Sequence, residues 1–234
     1  HEYWQPAIEK LAEEGIVVEL VKFTEYAIPN QALSDGDIDM NAFQHYAYLE
    51  KEVEERGYDL TVLGETIIAP LGLYSDKISD VSEIKENDKI AIPNDVTNAG
   101  RSLKLLEEAG LIEIDPAVGY LATVKDITAN PLNLEIVEVD ASLTSTLLPD
   151  VTASIINGGN AITVGLNPNR DAIYLETVNV VDNPNANRII NVLVVRTADI
   201  DNEVYVKVLE AFQTDKVAEV MEDVYGGAFI PAWK

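Results

Sequence analysis

Apolar residues first recur at helical spacing. Ile8, Leu11 and Ala12 predict a helix over residues 6–14, ended by Gly15. The run IVVELVKF, residues 16–23, reads as a buried strand. After a loop at 24–29, a helix is predicted from about Asn30 to Ser34, a short extended piece at 40–43, and a helix over 44–56 stopped by Gly57. Residues 60–68 form a second strand region, and 71–74 continue extended past Pro70. The pattern then restarts. A strand at 89–92 leads through a loop at 93–97 into a helix from about Asn98 to Ala109, closed by Gly110. Further strands are predicted at 134–139, 153–156 and 189–195. Residues 143–148 read as helix or turn, 161–164 as a short helix, and 202–213 and 216–224 as the closing helices.

Strands alternating with helices predict an α/β fold with mostly parallel sheets. Two βα blocks, near 16–68 and 89–164, predict two lobes, with the extended segments 69–74 and 189–195 crossing between them as a hinge. The expected division is 1–74 plus 193–234 for lobe 1 and 75–192 for lobe 2, with a small ligand in the cleft between lobes.

Charge and composition narrow the partners. Sixteen Lys and Arg against 41 Asp and Glu give a formal net charge of −25. That excludes the basic face a nucleic acid needs, and it repels anionic substrates at long range. A zwitterion or neutral solute is the easier ligand, although solubility alone accounts for such a charge. The absence of cysteine excludes disulfides, thiolate metal sites and a Cys nucleophile. With His1 at the terminus and His45 the single internal imidazole, a His-based metal site has little to build on. Apolar runs such as the one around 66–73 are far shorter than the roughly 20 residues a membrane helix needs. No signal peptide is visible ahead of the polar opening, as though a targeting segment had been removed.

Three groups carry candidate chemistry. PNDVTNAGR, residues 93–101, lies between a strand and a helix, where α/β sheets bind ligands and helix amides attract anions. Arg101 falls in the first helical turn. The helix dipole disfavours a cation there, so Arg101 needs an anionic partner. That partner is either a ligand carboxylate held bidentately or an acid of the chain beside a surface arginine. NAFQHYAY, residues 41–48, crowds three aromatics and His45 together. Phe43, His45 and Tyr48 either line an apolar slot with polar tips or pack the core. Asn157 and Asn191 follow and occupy strands, where an amide can bond both groups of a zwitterion. No nucleophile elbow, P-loop or dinucleotide fingerprint occurs, and no cofactor is implied.

The stretch FTEYAIPNQALSDGDIDMNAFQHYAYLE (23–50) and the stretch AIPNDVTNAGRSLKLLEEAGLI (91–112) resemble the two signatures of the NlpA/MetQ family of methionine-binding lipoproteins. Their spacing, ASIINGG, INVLVVR and the closing GGAF…W also match, so the resemblance spans essentially the whole chain. It implies a two-lobed periplasmic-binding-protein-like fold. It also implies an extracytoplasmic role, at the cell surface or in the periplasm, as the substrate-binding protein of an ABC importer that binds L-methionine. A permease is the implied partner, and a lipid anchor outside this chain the only membrane attachment. The implied protein is monomeric and not an enzyme. Carried over by residue, Tyr26, Phe43, His45 and Tyr48 contact the ligand side chain. Arg101, supported by Asn98, binds the carboxylate, and Asn157 and Asn191 hold the amino and carboxylate groups. Loss of Arg101 should then abolish binding with little loss of fold.

The chain departs from the family pattern in lacking a strand before the helix at 6–14, a signal peptide and a lipidated cysteine, which suggests a truncated or processed chain. Asn160 stands where relatives often carry an aromatic, which would widen or polarise the pocket. The competing readings are a same-fold receptor for a methionine-containing dipeptide or another apolar amino acid, and an enzyme working through His45 and a nearby acid. A regulator's sensing domain would need a DNA-binding segment that the chain lacks.

Overall fold

A computed structural model describes residues 2–179 and 186–234. The first elements are α1 (Gln5–Glu13), α2 (Pro29–Asp35), α3 (Tyr46–Arg56) and β1 (Leu60–Ile68). Next come β2 (Leu71–Tyr74), β3 (Lys89–Pro93), α4 (Val96–Glu108), β4 (Glu113–Ile114), β5 (Ile127–Ala129), β6 (Glu135–Val139), β7 (Ala153–Asn157), α5 (Gly158–Thr163), α6 (Pro168–Asp171) and β8 (Tyr174–Leu175). The last are β9 (Ile190–Arg196), α7 (Glu203–Phe212), α8 (Asp215–Tyr225) and β10 (Ile230–Pro231). The chain divides into two compact units, His1–Ala69 with Val178–Lys234, and Pro70–Thr177. It therefore passes between units at 69–70 and returns at 177–178. Of the two extended segments, β2 is a sheet member of the second unit and β9 of the first.

The first unit has a three-stranded sheet in the order β10-β1-β9, and its pairings are antiparallel, with Thr61 opposite Val195 and Ile67 opposite Pro231. Leu33, Leu49, Leu60, Val192 and Val194 form one core between this sheet and α2 and α3. A second, aromatic core ties the N-terminus to α7 and α8. Trp4 lies 4.4 Å from Phe212 ring to ring, and Tyr3 lies 5.3 Å from Phe229, edge to face.

Two expectations fail in this unit. The sheet is not parallel, because it joins the strand that leads out of the unit to one that follows the chain's return. Residues 16–23 form no strand. Val17 is 90% exposed, and Leu20 and Val21 are also exposed. An apolar run becomes a strand only against a neighbour that takes its N–H and C=O groups, and no described strand lies against it.

The second unit has a five-stranded sheet in the order β6-β3-β7-β2-β8. Here the parallel expectation holds for β3 with β6 and with β7, while β2 runs antiparallel to both its neighbours. Every residue of β2 and β7 is buried, the signature of strands covered on both faces. One face packs Leu71, Leu73, Ile90, Ile92 and Ile155 against Leu103 and Leu106 of α4. The other packs Tyr74, Leu148, Ile156 and Ala161. The parallel strands β3, β6 and β7 end in register, so residues 93–98, Asp140 and Asn157 lie at the carboxyl end of these strands.

Candidate functional site

The predicted site residues fall into two groups, one on each unit. Tyr26, Phe43, His45, Tyr48 and Asn191 belong to the first unit, and Asn98, Arg101 and Asn157 to the second.

In the first unit, three rings contact one another. Tyr26 lies 5.9 Å from Phe43 and 6.2 Å from Tyr48, and Phe43 lies 5.9 Å from Tyr48, ring to ring. His45 meets Tyr48 edge to face at 6.3 Å. Tyr26 and Phe43 keep partial exposure, and none of the four joins the Leu33–Leu49–Val192 core. His45 and Tyr48 themselves are buried. His45 is also the N-cap of α3. Its Nδ1 accepts the Tyr48 N–H at 3.1 Å, which places the ring proton of the neutral imidazole on Nε2. Asn191 pairs with His45 across an antiparallel bridge, and its carbonyl accepts the Thr66 hydroxyl at 3.0 Å.

The loop carrying Phe43 and His45 is held by three buried amides that sequence reasoning passed over. Asn30 Nδ2 donates to Gln44 Oε1 at 2.8 Å. Asn30 Oδ1 accepts Asn41 Nδ2 at 3.0 Å and Gln44 Nε2 at 2.5 Å. Gln44 Nε2 also reaches Asn41 Oδ1 at 3.0 Å. Tyr46 adds a bond to Glu65 Oε1 on β1 at 3.3 Å. Partial burial and the Glu65 charge raise its hydroxyl above the ordinary value, so it remains a neutral donor. Asn30→Leu keeps the volume but leaves the buried Gln44 Oε1 without the Asn30 donor and removes the oxygen that accepts both Asn41 Nδ2 and Gln44 Nε2. It should cost about 2 kcal/mol or more, which lowers Tm by roughly 4–8 °C. Thermal unfolding checks this, and an unchanged Tm would show that the loop does not depend on the network.

In the second unit, Asp95 caps α4, accepting the Asn98 N–H at 3.0 Å, and the first turns of that helix carry Asn98 and Arg101. Arg101 is buried, not a surface arginine, and its partner is Glu176, which is equally buried. Arg101 Nε donates to Glu176 Oε1 at 2.9 Å and Nη2 to Oε2 at 2.6 Å, a bidentate pair. Glu176 Oε2 also accepts the Leu71 N–H at 2.9 Å. With Nε and Nη2 turned to Glu176, the Nη1 edge faces Asn98, whose Oδ1 it reaches at 3.1 Å.

Asn157 Nδ2 reaches the same Asn98 oxygen, also at 3.1 Å. Asn157 Oδ1 is buried and has no partner among the described residues. The structure thus brings Asn98, Arg101 and Asn157 together. Asn160, half-buried on α5, turns its amide to the Ala141 carbonyl at 2.9 Å. Glu176 carried no signal of its own, because one acid among 41 cannot be singled out. Among the described residues no group of His, Asp or Glu is arranged to hold a metal ion.

Comparison with known proteins shows the family. The NlpA lipoprotein family model matches residues 1–233. The chain is similar to the D-methionine-binding lipoprotein MetQ of Salmonella typhimurium, at 42% identity over 229 residues, covering 96% of this chain and 82% of that one. Its fold is similar to protein PG110 from Staphylococcus aureus, with a TM-score of 0.94 and 41% identity over 99% of this chain and 90% of that one. It is also similar to a nutrient binding protein from Burkholderia cenocepacia bound to methionine, with a TM-score of 0.91 and 36% identity over 99% of this chain and 95% of that one. With the family model spanning nearly every residue and both folds matched end to end, this chain belongs to the NlpA lipoprotein family.

Proposed function

We propose that this chain is the extracytoplasmic substrate-binding component of an ABC importer and that its ligand is methionine. The observation that carries this reading is the polarity of the second unit's site. Asn98 Oδ1 accepts an Arg101 N–H on one side and Asn157 Nδ2 on the other, and the buried Oδ1 of Asn157 has no partner among the described residues. A carboxylate takes the donors and an ammonium takes the acceptor, so the pair suits the head group of an amino acid. In the first unit the rings of Tyr26, Phe43, His45 and Tyr48 suit a thioether, since sulfur against ring edges contributes about 0.3–1.5 kcal/mol.

The Salmonella relative named for D-methionine and the Burkholderia structure bound to methionine support the same choice. The importer's permease is the protein partner, and the chain acts as a monomer that returns its ligand unchanged. No helix among the described residues is long and apolar enough to cross a membrane.

Calorimetry on ligand-free protein tests the assignment. Methionine should bind, and norleucine should bind more weakly by roughly 2- to 12-fold, the thioether contribution expressed as affinity. Aspartate and arginine should not bind. Binding of either charged amino acid in place of methionine would overturn the reading, and tighter binding of glycyl-methionine would transfer it to a dipeptide. Mass spectrometry should recover methionine unaltered, whereas a converted product would revive an enzymatic role.

A further inference from the structure

We propose that Asp95 is a positioning residue that never touches the ligand, yet decides which end of the Asn157 amide meets it and so makes the site select an amino group. The inference rests on the amino-acid-binding reading above and adds a residue to it.

The two ends of an asparagine amide have nearly the same shape and opposite hydrogen-bonding character, so their orientation is set by neighbours. Asn98 lies between two neighbours of fixed character. On one side the Asp95 carboxylate, which only accepts, takes Asn98 Nδ2 at 3.0 Å on each of its oxygens. On the other, the Arg101 guanidinium, which only donates, reaches Asn98 Oδ1 at 3.1 Å. Reversing Asn98 would set oxygen against carboxylate and N–H against guanidinium, so one orientation survives.

That orientation fixes the next amide. Asn157 meets Asn98 at its oxygen and must present Nδ2 to it, at 3.1 Å. Its own Oδ1 is therefore the outward end, buried and unpartnered among the described residues. An acceptor in that condition bonds an N–H or an ammonium and repels a second carboxylate oxygen.

Asp95 has a second role that a test must separate, because it also caps α4 through the Asn98 backbone N–H and accepts the Thr97 hydroxyl at 3.1 Å. Asp95→Ser keeps a good capping residue, but its single short hydroxyl cannot accept the Asn98 side chain as the carboxylate does. Asp95→Asn keeps both a cap and an amide oxygen that can face Asn98 Nδ2. The readout is the ratio of affinities, by calorimetry, for methionine and for 4-(methylthio)butanoate, which lacks only the amino group.

Wild type should favour methionine by about tenfold or more, the value of one charge-assisted hydrogen bond. Asp95→Ser should lower that ratio several-fold while its Tm stays near that of wild type, and Asp95→Asn should restore much of it. If Asp95→Ser weakens both ligands equally, Asp95 is a helix cap and no more, and the inference falls while the function stands. If wild type binds neither compound, the functional reading itself fails and takes this inference with it.

Discussion

Arg101→Ala should abolish methionine binding and also destabilise the second unit. The binding loss follows from removing a buried, charge-assisted partner of a carboxylate, about 2–5 kcal/mol, or roughly 30-fold to several-thousand-fold in affinity. The stability loss follows from Glu176. Its side chain is 4% exposed and loses both guanidinium bonds when Arg101 is truncated. Breaking one side of a buried ion pair costs about 3–5 kcal/mol, because the remaining charge is stranded, so Tm should fall by roughly 6–20 °C. The sequence alone pointed to little loss of fold, since it offered no reason to expect the arginine's partner inside the protein.

The double variant Arg101→Met with Glu176→Gln, whose amide oxygen can still accept the Leu71 N–H, separates the two effects. Removing both charges should recover most of the lost Tm while binding stays absent. Calorimetry and thermal unfolding of the three proteins decide the matter. Wild-type melting of Arg101→Ala would show that Glu176 does not need its partner.

Gly100→Ala should be similarly costly, although it adds one methyl group and changes no charge. A Cβ at Gly100 would stand 2.0 Å from the Tyr120 carbonyl oxygen, 2.7 Å from its carbon and 3.4 Å from the Ala122 nitrogen. These are backbone atoms, so no rotamer change relieves the clash, and α4 must move away from the segment 119–122. Overpacking of this kind costs about 3 kcal/mol or more, a fall in Tm of roughly 6–12 °C. Because Asn98 and Arg101 ride on the same turns of α4, methionine affinity should drop as well. A variant that melts and binds like wild type would mean that the 119–122 segment yields freely. The glycine in NAGR is thus explained by close packing of the helix.

Local features of the chain were legible where the code itself is local. Gly57 stops α3 in the left-handed conformation, and the helix expected over 202–213 is α7, because the interactions that set such features lie within a few residues; α4 begins at Val96, two residues before the expected start. The short runs at 89–92 and 153–156 read as strands and are β3 and β7. Residues 16–23 look equally strand-like and are not a strand, because pairing is a property of two segments and hydrophobicity a property of one. The parallel expectation held for β3, β6 and β7 of the second unit and failed for β2 and for the sheet of the first, since strand direction depends on how the chain returns.

The site divides along the same line. The sequence by itself determined which residues are available: the aromatics and His45 within 41–48, Asn98 and Arg101 on one helix start, and the amide at Asn157. It could not show that Arg101 is already paired with Glu176, 75 residues away, nor that Asp95 and Arg101 together leave Asn98 a single orientation. It also could not show that Asn30, Asn41 and Gln44 close a network beneath Phe43 and His45. Those facts belong to the tertiary structure alone, because a hydrogen bond is decided by distance and direction in space, and a carboxylate 75 residues away reads in the chain like any of the other 40.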